Sequence, residues 1–262
     1  MPLPAPSPDV LDFVERVARA YAQLVAAPNT DSESGLGGSL FYAGEMDEDG
    51  RALVVAANIA GAATLVASAD LAVQKQAIRD AIADFLVNSL DEALRILKNQ
   101  LRKRETVSVC VAMAPAAMER EMNERGVRPD LLRSFVGDAP PSGTESPALL
   151  TPALLTPALL TWTVAAAPAL WLPRLDAIAL ECLETDAWAA RRWLRLAPRY
   201  LGRTAQATRA LACSQQVASR FTERVQKRVE RGEIGVLVEI RWRIARGPEE
   251  KHRFEPGKHP VR

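Results

Sequence analysis

Three groups of residues in this chain are of a type and spacing that could do chemistry. Gly35-Leu36-Gly37-Gly38 is the first: closely spaced glycines let a backbone come near a phosphate, so Gly35, Gly37 and Gly38 are candidate cofactor-binding residues. The second is Glu45-Met46-Asp47-Glu48-Asp49-Gly50, four carboxylates within six positions. Such a run repels phosphate, since like charges about 4 Å apart cost roughly 1 kcal/mol even in water; its plain alternative is a solvated turn. The third is Arg191, Arg192, Arg195 and Arg199 with Trp188 and Trp193 interleaved, and Tyr200 and Arg203 nearby. Basic residues with aromatics can hold a phosphate backbone or stack on bases, which makes this a candidate interaction face. The competing reading has the aromatics as core anchors and the arginines paired with an acidic first part of the chain. It is preferred, because no recognised nucleic-acid motif is present.

Composition narrows the classes. The 262 residues are 48% hydrophobic and 25% charged, which is globular and excludes wholesale disorder. The net charge of +1 conceals an asymmetry: residues 174–262 hold 19 Lys and Arg against 11 Asp and Glu, and residues 1–173 hold 14 against 21. Cys110, Cys182 and Cys213 are odd in number and widely spaced, which argues against a disulfide framework or a CxxC pair and for buried structural thiols. His252 and His259, the only histidines, lie in a charged tail, so a His-based triad or a His-rich metal site has little to build on. The proline-rich start, residues 1–8, lacks the features of a signal peptide, and a reducing cytoplasm is the expected location. Residues 146–173 are uncharged for 28 positions, long enough to span a bilayer. Five prolines interrupt them, and Pro-Ala-Leu-Leu-Thr recurs three times over 147–161. The expectation is a proline-punctuated apolar linker over 139–173, or a partner-docking segment, and no membrane span.

The elements that must position these groups follow from periodicity. Val10–Val25 reads as an amphipathic helix, Leu40–Ala43 and Leu53–Ala57 as strands flanking the acidic turn. Asp70 caps a helix with Leu71, Ile78, Ile82 and Phe85 inward; Ser89 and Glu92 form a capping box for the next, with Leu90, Leu94, Leu97 and Leu101 along one side. Thr106–Met113 is the clearest strand, Pro115 opens a helix that stops at Gly126, and residues 127–132 are extended again. Strand, helix, strand with short connections implies an α/β, Rossmann-like parallel sheet with crossover helices over residues 1–138. Residues 174–246 read as mostly helical, with one helix ending at Pro198 and a long stripe from Ala210 to Val229. A terminal strand from Ile234 follows that could join the first sheet, and residues 247–262 read as a loose charged tail.

Several stretches in order then resemble the nucleotide-binding core of urocanate hydratase (urocanase), an NAD-dependent family: Leu11–Tyr21, Ala56–Val66, Ser89–Leu94, Thr106–Val111 and Gly126–Leu131. In that family a Gly-rich loop cradles the NAD pyrophosphate. Two placements of the loop are open here. Gly35–Gly38 supplies the glycines but demands an insertion before Ala56. The ungapped placement runs Leu40–Gly44 directly to Asn58–Gly61 and sets Glu45–Gly50 where the phosphate loop belongs; it is preferred. The family's Asp-Gln-Thr-Ser segment is replaced by Arg133-Ser134-Phe135-Val136, and its later catalytic regions have no counterpart. The resemblance therefore implies a shortened relative with no catalytic residue, no metal and no NAD, acting by binding a protein partner, itself or a small ligand. The alternatives are an NAD-dependent hydratase using Gly35–Gly38, and a nucleic-acid contact through Arg191–Arg203.

Overall fold

Val14, Val17, Tyr21 and Leu24 recur at helical spacing and are all buried along helix α1 (Pro8–Leu24). α1 is the first element in a computed structural model of the chain that describes residues 8–28, 30–136, 158–202, 205–244 and 249–257. These fall into two compact units, residues 19–140 and residues 1–18 together with 141–262.

In the first unit the chain alternates strand and helix: β1 (Leu40–Glu45), α2 (Glu48–Ala60), β2 (Ala63–Ser68), α3 (Leu71–Arg79), β3 (Phe85–Val87), α4 (Leu90–Lys103), β4 (Val107–Ala112), α5 (Pro115–Glu124) and β5 (Leu131–Leu132). A 3-10 turn over Arg133–Val136 follows. All neighbouring strands pair in parallel, in the order β3-β4-β2-β1-β5. Alternate residues of the sheet (Tyr42, Leu65, Val109, Val87) pack with Leu90 and Leu97 of α4 and Met118 and Met122 of α5. The intervening residues face α2 and α3 on the other side, a doubly covered parallel sheet. The Rossmann-like expectation holds.

Local signals place most of these elements. Asp70 caps α3, and Ser89 Oγ accepts from the Glu92 N–H at 3.3 Å while the Glu92 carboxylate accepts from the Asn88 N–H at 2.9 Å. Pro115 opens α5 and Gly126, at φ +67°, follows its end. Two expectations fail. Leu53–Ala57 is not a strand but the interior of α2; the run is buried on every side, and an all-apolar run carries no periodicity to separate helix from strand. α3 turns Gln74 and Ala77 inward, leaving Leu71 and Ile78 exposed, and Phe85 belongs to β3.

The second unit contains β6 (Ala158–Val164), α6 (Pro168–Cys182), α7 (Trp188–Leu201), β7 (Thr208–Cys213), α8 (Gln215–Glu230), β8 (Val238–Arg243) and β9 (Glu249–Phe254). Its strands form an antiparallel sheet in the order β7-β6-β8-β9. Trp162 of β6 packs on Phe221 of α8, ring centroids 5.0 Å apart, inside the core. Of the expected linker, residues 139–157 lie outside the described residues. Residues 158–173 are instead a buried central strand and the start of α6, so the third Pro-Ala-Leu-Leu-Thr copy supplies the first half of β6. Ala210 and Leu211 lie in β7 rather than a helix, because α8 begins only after its Ser214 cap. α7 runs through Pro198 to Leu201. The terminal strand β8 joins this second sheet, not the first, and the expected loose tail contributes β9, with Arg253 3.8 Å from Glu239 across the pair. Among the described residues no helix is long and apolar enough to cross a membrane.

One buried group gives this unit a pH signature. Asp176 of α6 meets Arg209 Nε of β7 at 3.4 Å, and its Oδ1 has no hydrogen-bond partner. Burial pushes the carboxyl up to about 6 against the pull of Arg209. A folded-state value above the unfolded one means that the stability contributed is complete below about pH 4 and is lost as pH rises through 6. Thermal melts should lose up to about 3 kcal/mol of stability over that window, and Asp176→Asn should flatten the profile.

Candidate functional site

In an open parallel sheet, ligands bind outside the carboxyl ends of the strands, where successive connections leave in opposite directions. Here β1 leads by way of α2 to β2 on one side, while β5 lies on the other, so that crevice falls between the ends of β1 and β5. The first strand-to-helix turn, the place of a phosphate loop, is Glu45-Met46-Asp47 leading into α2. Glu45–Gly50 thus joins the first strand to the following helix, as the ungapped placement requires.

The turn is satisfied from within. Asp47 is the N-cap of α2, and its Oδ1 accepts from the Gly50 N–H at 2.7 Å. Arg133, just beyond β5, donates from Nη1 and Nη2 to the two Asp47 oxygens, 3.0 Å each, and reaches Asp49 at 3.7 Å. Burial pushes the Asp47 carboxyl up, but the hydrogen bonds from Arg133 and Gly50 outweigh it and hold the group below the usual carboxylate range. Gly50 is needed for packing: a Cβ there would lie 1.8 Å from the Glu45 carbonyl oxygen. Gly44, at φ +74°, sits at the register shift between β1 and β2, beside the Arg133 side chain. At the neighbouring end of β2, Gln74 Nε2 donates to the Ser68 carbonyl at 2.7 Å and is buried.

These residues do not fit a pyrophosphate. An anion at this turn needs open helix N–H groups and a positive surround. Asp47 already occupies the Gly50 N–H, Glu45, Glu48 and Asp49 flank it in the sequence, and Arg133, which bridges the crevice, is held by Asp47 and Asp49.

Gly35, Gly37 and Gly38 come together at the other end of the sheet. They precede the first residue of β1, the Leu36 N–H donates to Ala60 O at 2.8 Å, and a Cβ on Gly37 would lie 2.9 Å from Ser34 Cβ and 3.1 Å from Arg104 O. Gly35 and Gly38 adopt φ +66° and +90°. The glycines serve a tight turn packed under the C-terminus of α4, at the amino ends of the strands.

The arginine face is only partly assembled. Trp193 is buried and its indole N–H donates to Ala210 O; Trp188 is half-buried. Arg191 donates to the carbonyls of Leu183 and Glu184 at 3.3 and 3.2 Å, and Arg192 is half-buried and engaged. Arg195 and Arg199 are exposed, Arg199 lying 5.6 Å from the Tyr200 ring, and Arg203 lies outside the described residues. Elsewhere among the described residues of the second unit, Arg224 and Arg228 meet Glu181, Arg220 meets Glu184, and Arg243 meets Glu15 of α1. Cys110, Cys182 and Cys213 are buried, and burial pushes Cys110 up to about 11 and Cys213 up to about 12, far from a reactive thiolate. Among the described residues no cluster of three or more His, Cys, Asp or Glu could hold a metal.

Sequence reasoning missed Arg133 as a partner of the acidic turn. The only signal was its position directly after the last parallel strand.

Residues 17–136 match the family model of the urocanase Rossmann-like domain. No curated protein matches the chain.

Two substitutions test the turn. Gly50→Ala should cost about 2 kcal/mol or more in urea unfolding, because the clash is with backbone. Asp47→Ala should cost about 1 kcal/mol for the lost cap.

Proposed function

With residues 17–136 matching the urocanase Rossmann-like domain, we propose that this protein keeps that domain's frame but not its dinucleotide site, and acts by binding rather than by hydratase chemistry. The observation that supports this reading is the Asp47–Arg133 pair. It places a carboxylate on the Gly50 amide of α2 and a guanidinium across the crevice, in the position a diphosphate would need. A nicotinamide dinucleotide entering there would have to displace a two-point ion pair and then sit among the remaining carboxylates. Gly35–Gly38 offers no substitute, because it lies at the amino ends of the strands, away from the crevice. What the frame retains is its surface, and the reading assigns function to that surface.

The test is a thermal-shift titration with NAD and NADH, joined to the absorbance assay for urocanate consumption. The expected outcome is an unchanged midpoint and a flat trace. A saturable rise in the midpoint, as mass action demands of any ligand bound to the native state, overturns the reading. If the pair is what excludes the cofactor, Asp47→Gly with Arg133→Gly should not weaken whatever residual NAD response exists; a response present in the natural chain and lost in that variant places the cofactor on the pair itself and also overturns it.

A further inference from the structure

Helix α7 carries four arginines and no aspartate or glutamate in its 14 residues. Its inward side is Trp193, Leu194, Ala197 and Leu201, all buried. Trp188, Arg192, Arg195 and Arg199 follow one another at steps of four, three and four residues, so they share the opposite side of the helix. Arg195 and Arg199 are exposed there, and Trp188 and Arg192 are half-buried. Arg191 stands apart: it donates to the carbonyls of Leu183 and Glu184, where a cation suits the end of α6.

The fold does not account for the two exposed arginines. On α8, Arg220 meets the Glu184 carboxylate, and Arg224 and Arg228 meet that of Glu181. Among the described residues no carboxylate pairs with Arg195 or Arg199, and Arg199 lies 5.6 Å from the Tyr200 ring. A face of this kind calls for an anion, and what α7 does not expose narrows the class. A helix that lies on a membrane inserts apolar side chains, and a protein partner docks on an apolar core within a polar rim. α7 exposes no large hydrophobic residue, having turned them into the core. A nucleic-acid strand needs what is here: guanidinium groups in a row for its phosphates, and an aromatic ring for a base. Arg195 and Arg199, four residues apart, stand about 5–6 Å from each other at Cβ. Trp188 sits at the start of the same row, and only an unpaired base can stack on it. That selects a single strand over a duplex.

We infer that the outward side of α7 is a contact surface for single-stranded nucleic acid, with Arg195 and Arg199 on its phosphates and Trp188 stacked on a base. The surface lies in the second unit and makes no use of the crevice between β1 and β5, so strand binding and NAD binding are independent of each other.

The experiment is fluorescence anisotropy of labelled oligothymidylate and oligouridylate, about 20 nucleotides long, titrated with the full chain to about 200 µM at salt from about 20 to 200 mM. The expected result is saturable binding that weakens with salt, with a log–log slope of about 1.5 to 2 for two or three phosphates on a single strand. Arg195→Gln combined with Arg199→Gln should weaken binding at least about ten-fold and flatten that slope, with an unchanged circular-dichroism spectrum. Trp188→Ala should weaken it about five-fold or more and leave the slope unaltered, because stacking releases no counterions. Should Trp188→Ala lose its fold, Trp188→Leu carries the same expectation. Arg231→Gln removes a cation whose side chain is 70% exposed at the end of α8, and should leave the affinity within about two-fold. No saturable binding at the lowest salt overturns the proposal, as does a loss at Arg231→Gln equal to that of the arginine pair. Polyglutamate or anionic vesicles binding as tightly as the oligonucleotides, with no response to Trp188→Ala, would also overturn it, since charge alone would then account for the contact.

Discussion

The close approach of α2 to β1 is the constraint from which the first unit's crevice takes its form. With no side chain at Gly50, the helix starts almost on the Glu45 carbonyl. That proximity leaves Asp47 as the natural acceptor for the Gly50 amide of α2 and brings both its oxygens to the mouth of the sheet, where Arg133 meets them. In a dinucleotide-binding fold the same closeness lets a phosphate reach the backbone. Here Gly50 serves packing, and the helix N-terminus is capped by a side chain, Asp47.

Such a cap is self-consistent in energy. A helix N-terminus with unsatisfied amides is a cost unless something accepts from them. A site that binds its anion reversibly carries that cost whenever it is empty; a cap supplied by the chain removes it permanently. The second unit shows the opposite arrangement. Asp176 and Arg209 are both largely buried, Asp176 Oδ1 lacks a hydrogen-bond partner, and a buried ion pair is weak evidence for stability.

Much of the first unit was legible because its determinants are local. The alternation in Thr106–Met113, the Ser89–Glu92 box, the Pro115 start and the Gly126 stop each lie within a few residues of what they specify. Glu45–Gly50 was legible as a turn, and the ungapped family placement put it at the phosphate-loop position, but periodicity read a strand after it where α2 runs. Arg133 was not legible: its partner Asp47 is 86 residues away, and no short-range pattern encodes a contact across the ends of two strands. Leu53–Ala57 misled because complete burial erases periodicity. The second sheet was read poorly for the same non-local reason. β7 carries small residues that suit a helix as well as a strand, and β9 is too charged to resemble one until its pairing with β8 is known.

β6 begins within a five-residue unit that the sequence writes three times, and its remaining residues, Trp162, Thr163 and Val164, follow the last unit directly. Loss or gain of one whole upstream unit therefore leaves Ala-Leu-Leu-Thr-Trp-Thr-Val unaltered. Tandem copies are prone to change in number when genes are replicated, and here such a change would alter the spacing between the two units by five residues at a time. The strand at the centre of the second sheet would be rewritten identically each time, so the length of the connection can drift while the core it feeds stays the same.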